Sequence, residues 1–198
     1  MGLEKKPKIG ISCSIFRREI KLLQEQKQLE IPFRYLGSML HLDPEELDER
    51  LQAVTSEDHH DGKDIILVYG DCCPYMYTIK KQDHVKKIPG KNCIEILLGN
   101  DLYTNLIREG AFFLMPEWAK RWREIFQDEF KLYGEDARSF MTELHTKLIY
   151  VDTGLTPIPE NLLIEISEYS GLPTEIMPVS LEKLLTSIQN ANEQMENG

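Results

Sequence analysis

The sequence predicts an α/β fold, a single doubly wound domain with a mostly parallel sheet and helices on both faces. Two observations carry the prediction. Short aliphatic runs, of which I-I-L-V-Y at residues 65–69 is the clearest, alternate with segments whose apolar residues recur at helical spacing. No long linker and no internal repeat interrupts the alternation, so each strand has a helix to cross over through and the sheet is expected to be largely parallel. Length agrees: 198 residues with 41% hydrophobic side chains suit one domain with a sizeable core. That domain is expected over residues 1–189, followed by a polar tail at 190–198.

In chain order, K-I-G-I-S-C at residues 8–13 reads as the first strand, and Phe16, Ile20 and Leu23 behind it share one helical face. Residues 31–36 read as a second strand, with Pro32 near its start where a missing N–H is tolerated. Asp43-Pro44-Glu45-Glu46 has the form of a helix start, with Asp43 as cap, Pro44 in the first turn and Glu46 three residues on. Leu47, Leu51 and Val54 supply its buried face. Residues 56–63, S-E-D-H-H-D-G-K, read as a polar loop, and the pair His59-His60 is better explained as exposed loop than as metal ligands. Residues 64–69 form the third strand, apolar enough for burial on both faces.

A basic stretch follows over 80–91, and Cys93 either begins a short helix or closes a short strand near Ile88; the pattern fits both. Leu102, Tyr103 and Leu106 continue as a helix, and residues 111–115 form a strand stopped by Pro116. Residues 117–130 are helical in pattern, and the stripe Trp118, Trp122, Ile125 marks core packing rather than a ligand platform. A helix over 136–145 leads to a strand over 147–151 that ends in Asp152-Thr153-Gly154, which either lines a crevice or makes a turn. The helix at 158–169 turns Leu162, Ile166 and Tyr169 inward and closes on Gly171. Residues 174–179 form an edge strand, and Ser180 caps a last helix carrying Leu181, Leu184, Leu185 and Ile188.

Composition narrows the function. A formal charge of -10 disfavours a nucleic-acid partner, because binding to phosphates needs clustered Lys and Arg. Residues 1–8 are charged rather than apolar and no apolar run approaches the ~20 residues that span a bilayer, so a cytoplasmic protein without membrane segments is expected. Four cysteines in that compartment are expected as thiols, metal ligands or redox groups rather than disulfides. A P-loop, G-x-S-x-G, H-E-x-x-H and G-x-G-x-x-G after the first strand are all absent, which removes support for nucleotide binding and serine hydrolysis.

The cysteines share a position. Cys13 follows the first strand, Cys72 and Cys73 follow the third, and Cys93 follows the next short element. In the common 2-1-3 strand order the C-terminal ends of the first and third strands diverge around one crevice, where these thiols can converge. Three thiolates suit a four-coordinate centre with one open position, either an iron–sulfur cluster or a zinc ion. Soft, anionic sulfur holds such metals better than carboxylates do. A closed structural zinc would take Cys73 or a histidine as fourth ligand. The competing readings are a vicinal redox pair at Cys72-Cys73 and cysteines that serve only as small buried side chains.

Several motifs resemble one family, the domain-of-unknown-function family sixteen-thirty-eight of methanogens and other anaerobes. Its cysteine after the first strand, followed by a K/R-R-E-I-like helix, is matched by Cys13 and Arg17-Arg18-Glu19-Ile20. Its Y-G-x-C-G is matched by Tyr69-Gly70-Asp71-Cys72, with Cys73 where glycine is usual. A D-C-I-x-x-x-L-G-S is matched by Asn92-Cys93-Ile94 and Leu98-Gly99-Asn100, an aromatic x-P-x-W by residues 112–118, and D-T-G by Asp152-Thr153-Gly154. The resemblance implies Cys13, Cys72 and Cys93 as the metal-ligating set, Cys73 as an extra, and Tyr69, Gly70, Asp152, Thr153 and Gly154 as candidates for holding the cofactor.

The resemblance also implies a setting among corrinoid-dependent methyltransferases, so a corrinoid protein or methyltransferase is the expected partner. The expected function is thus an accessory or electron-transfer factor with an iron–sulfur cluster or zinc on three cysteines. Two alternatives stand beside it. One is a methyl or sulfur transferase using a free or zinc-bound thiolate of Cys72; the other is a partner-binding protein whose cysteines are buried packing.

Overall fold

The structure, a computed structural model, describes residues 6–196. The expectations for the charged N-terminus and for the end of the polar tail fall in part on residues 1–5 and 197–198, and to that extent lie outside the described residues. Among the described residues every strand pairing is parallel, as expected for an α/β protein with helices around its sheets. The strands form two sheets where one was expected. One compact unit is built from residues up to Gly99 together with those from Leu181 onward, the other from Asn100–Ser180.

The first unit holds β1 (Lys8–Cys13), β2 (Phe33–Leu36), β3 (Asp64–Val68) and β4 (Val85–Lys87) in the order β2-β1-β3-β4, with α1 (Arg17–Glu25) and α3 (Met76–Ile79) among its helices. This contains the anticipated 2-1-3 arrangement, with Ser12 opposite Val68 and Cys13 opposite Leu36. Ile9, Ile11, Ile65 and Leu67 pack with Leu47 and Leu51 in one core cluster. The last two lie on α2 (Pro44–His60), whose cap Asp43 accepts a hydrogen bond from the Glu46 N–H at 3.0 Å. The sheet stops at β4, a short strand ending in Lys86-Lys87; charged, three-residue edges do not template a further strand.

Two local expectations are corrected in this unit. The polar loop expected at 56–63 is helical as far as His60, because the buried face of α2 continues in polar form. Thr55 and Asp58 are fully covered, and Asp58 Oδ1 lies 2.9 Å from Lys63 Nζ and 3.4 Å from Arg34 Nη2. The tail expected from residue 190 is also helical, since α9 (Glu182–Glu196) runs on with Ala191 buried. Lys8 Nζ donates to Asn192 Oδ1 at 2.7 Å and pairs with Glu196 Oε1 at 2.9 Å, which ties the end of α9 to β1.

The second unit holds β5 (Ala111–Leu114), β6 (Lys147–Asp152) and β7 (Thr174–Pro178) in that order, with α5 (Asn100–Arg108), α6 (Pro116–Lys120), α7 (Gly134–Leu144) and α8 (Glu160–Ser170). The helix expected over 117–130 is broken: α6 stops at Lys120 and a π-helical turn covers Glu124–Glu129. Trp122 is buried with its ring 4.7 Å from that of Tyr169 and Ile125 is buried too, so these two pack as expected, while Trp118 is half-buried. Gly171 closes α8 at φ +72°, a left-handed cap that glycine adopts without strain. No helix among the described residues is long and apolar enough to cross a membrane.

Candidate thiol centre

The order of the first sheet places a topological switch point between β1 and β3. From β1 the chain steps out to β2 on one side, while β3 and β4 lie on the other. Ligands of open parallel sheets bind outside the carboxyl ends of the strands at such a point. Cys13 is the last residue of β1, and the segment Tyr69-Gly70-Asp71-Cys72-Cys73 leaves the end of β3.

Cys93 reaches the same end by a different route. It is the first residue of α4 (Cys93–Leu98), and Asn92 before it is the cap, its side-chain oxygen accepting the Glu95 N–H at 2.9 Å. Glu95 returns the favour by accepting the Lys91 N–H at 3.1 Å. Asn92 stands where the family motif has aspartate, and either side chain supplies the capping oxygen. The loop before α4 is clasped to the loop after β3: Asp71 N–H donates to the Lys91 carbonyl at 2.7 Å. A Cβ on Gly70 would lie 2.5 Å from Asn92 Cα and 2.5 Å from the Lys91 oxygen, so only glycine lets these two backbones meet.

The result is a shared thiol neighbourhood. All four cysteines are thiols rather than disulfides; Cys73 is buried and the other three are half-buried. The Cys93 thiol is held well above its ordinary range by burial, and then by the charges that Cys13 and Cys72 would carry as thiolates. Burial also raises Cys72, while the Lys87 ammonium and the Gly70 N–H favour its thiolate. Tyr69 is only 2% exposed, and its hydroxyl has no hydrogen-bond partner among the described residues. Burial raises its pKa first, and Cys13, Cys72 and Cys73 raise it further.

Cys73 belongs to a different environment. It packs in the core cluster with Leu47 and Leu51, and its thiol is pushed up to about 11 by burial and by the Asp48 carboxylate, to which it is hydrogen bonded. Asp48 is already fixed by the Tyr75 N–H at 2.6 Å and by Gln52 Nε2 at 2.7 Å. Cys73 therefore packs against α2 from the segment that leaves β3, apart from the other three cysteines. Asp152, Thr153 and Gly154 belong to the second unit. There Asp152 Oδ1 accepts the Gly154 N–H at 2.8 Å, a turn that ends β6.

Lys87 is the residue of this neighbourhood that the motif reading missed. Its side chain is 8% exposed and 3.2 Å from Asp71 Oδ1, and its Nζ donates to the Gly90 carbonyl at 2.9 Å. It stood in the sequence as one lysine of a basic run; only the parallel pairing of β4 with β3 sets it beside Cys72. Thiolate sulfur is the donor type that soft metals and clusters take, and at Cys93, whose ionisation Cys13 and Cys72 oppose, a cation replacing the proton would offset that charge. As the side chains stand, no three His, Cys, Asp or Glu among the described residues are drawn together to hold a metal ion.

A family model described as "Protein of unknown function (DUF1638)" matches residues 35–188. The match takes in Cys72, Cys73, Cys93 and the Asp152-Thr153-Gly154 turn, and starts beyond Cys13. No curated protein and no solved structure matches the chain.

Proposed function

The chain belongs to this family of proteins of unknown function, and we propose that it is a metal-binding protein in which Cys13, Cys72 and Cys93 hold an iron–sulfur cluster, with zinc as the alternative occupant. What supports the reading is the placement of Cys13 at the end of β1, of Cys72 on the loop leaving β3 and of Cys93 at the start of α4, whose loop the Asp71 N–H ties to the Cys72 loop at 2.7 Å, all beside a buried, unpartnered Tyr69 hydroxyl. Thiols whose ionisation is suppressed by burial make poor free nucleophiles at neutral pH, which favours a metal centre over an unassisted Cys72 nucleophile. Such a cluster supplies one-electron transfer and, at an iron without a cysteine ligand, a place for a substrate atom.

The chain's own residues then have defined tasks. Gly70 and Asn92 hold the Cys72 and Cys93 loops together, Lys87 offsets thiolate charge at Cys72, and Tyr69 has an O–H to donate toward sulfur. Service to a corrinoid protein or methyltransferase is part of the proposal and rests on the family resemblance. The test is metal, acid-labile sulfide and visible absorption on anaerobically prepared protein. Iron with sulfide is expected in wild type and in Cys73→Ser, and is lost in Cys13→Ser, Cys72→Ser and Cys93→Ser. Stoichiometric zinc with the same cysteine dependence selects the alternative occupant. Colourless protein without iron, sulfide or zinc after reconstitution ends the proposal.

A further inference from the structure

The basic run at 80–91 has a use that the thiol centre does not exhaust. In a chain with 33 acidic and 23 basic residues, these positions hold five lysines and one aspartate. The end of β4 and the loop that follows it fold part of this run around a cavity of about 460 Å³, lined by Lys80, Lys86, Lys87 and Lys91 with Asp71 and Glu95 as its acids. The cavity lies at the carboxyl end of a parallel strand, the end at which such sheets take ligands.

Both acids are already engaged. Asp71 pairs with Lys87, which is itself anchored on the Gly90 and Ile88 carbonyls at 2.9 and 3.3 Å. Glu95 is 8% exposed and accepts the Lys91 backbone N–H at 3.1 Å. Lys80 Nζ stands 4.7 Å over the Tyr77 ring, and neither Lys86 nor Lys91 forms an ion pair among the described residues. Lys80, Lys86 and Lys91 thus line one concavity without an ion pair of their own among the described residues. Like charges gathered in a cleft raise its potential, and an anion entering it relieves their repulsion. Lysine ammonium groups are compact point charges that pair well with phosphate oxygens.

We propose that this cavity binds a small oxyanion-bearing molecule, a phosphate or carboxylate, through Lys80, Lys86 and Lys91. The cavity shares Asp71 and Lys87 with the thiol neighbourhood but takes no cysteine, so the protein is titrated as prepared with its metal content measured, and loss of metal and loss of anion binding are read separately. Inorganic phosphate and succinate are titrated separately into wild type and into Lys86→Gln/Lys91→Gln, with circular dichroism confirming the fold and amide NMR shifts on wild type locating the response. At least one anion is expected to bind, to shift the amides of residues 86–91, and to weaken about tenfold in the double variant and again with added salt. Which of the two binds tells phosphate from carboxylate chemistry. No binding of either, shifts confined elsewhere, or unchanged affinity in a folded double variant overturns the proposal.

Discussion

Gly70 and Asn92 meet backbone to backbone: hydrogen is the only side chain that the gap at Gly70 admits, and the cap of the helix that begins with Cys93 is the surface it meets. Through this contact the loop carrying Cys72 is held against the loop carrying Cys93. Gly70→Ala puts a methyl group against atoms that cannot rotate away. An overpacking cost of about 1–3 kcal/mol is expected, which at about 2–4 °C per kcal/mol lowers Tm by several degrees. Metal content should fall with it. Thermal melts and metal analysis check both, and an unchanged Tm with full metal content would show that the contact yields freely.

Lys87 favours the Cys72 thiolate from a buried position. In a background where Cys13, Cys73 and Cys93 are serine, Lys87→Met should move the pH midpoint of Cys72 alkylation upward, because the thiolate loses its neighbouring cation. The iodoacetamide rate between pH 7 and 10 reads this out. A midpoint that stays or falls contradicts the assigned role.

Cys73 is a core residue bonded to Asp48. Cys73→Ala should destabilise the fold by about 1–3 kcal/mol in denaturant titration, through a small cavity and a lost hydrogen bond. Metal content should be unaffected. Loss of metal at unchanged stability would return Cys73 to the ligand set.

The His59 and His84 rings stack at 3.7 Å, joining the last turn of α2 to the residue before β4. Burial and then the charge of His59 lower the His84 pKa, with Lys6 in the same direction and Asp64 and Asp83 opposing. The unfolded chain therefore binds a proton at His84 before the folded one does. Its contribution to stability is complete above about pH 6.5 and is lost as pH falls from there through the depressed folded value. The stability of wild type relative to His84→Gln should shrink from pH 7.5 to pH 5. A gap that widens over this range refutes the sign.

Trp122 packs against Tyr169 and Phe126. Trp122→Ala should cost about 3–5 kcal/mol, the range for deleting a large buried aromatic. Equilibrium unfolding followed by far-ultraviolet circular dichroism measures it; a cost under 1 kcal/mol would point to a ligand platform instead.

Much of the fold was legible because its signals are local. The first strand at 8–13, the cap at Asp43 and the left-handed stop at Gly171 each declare themselves through period or residue type, and all stand where they were read. The misread segments are those where burial is polar or the helix irregular. Thr55 and Asp58 continue the inner face of α2 without apolar side chains, and the π-helical turn at Glu124–Glu129 leaves the helical period intact while breaking the helix. Within the candidate site, Cys13 and Cys72 stand at strand ends as read, while Cys93 takes the helical one of its two readings. Lys87 was not legible, since a charge in a basic run has no period.

By itself the sequence determined the α/β class, the parallel pairing and the strand-end positions of Cys13 and Cys72, because these follow from side-chain type and repeat along the chain. Only the tertiary structure decided that the strands divide into two sheets, that Cys73 turns to Asp48, that Lys87 is buried beside Cys72, and that Asp152-Thr153-Gly154 belongs to the other unit. These are outcomes of contact between residues far apart in the chain. Strand order and backbone approach, of the kind that Gly70 permits at Asn92, create such contacts, and no window of sequence contains them.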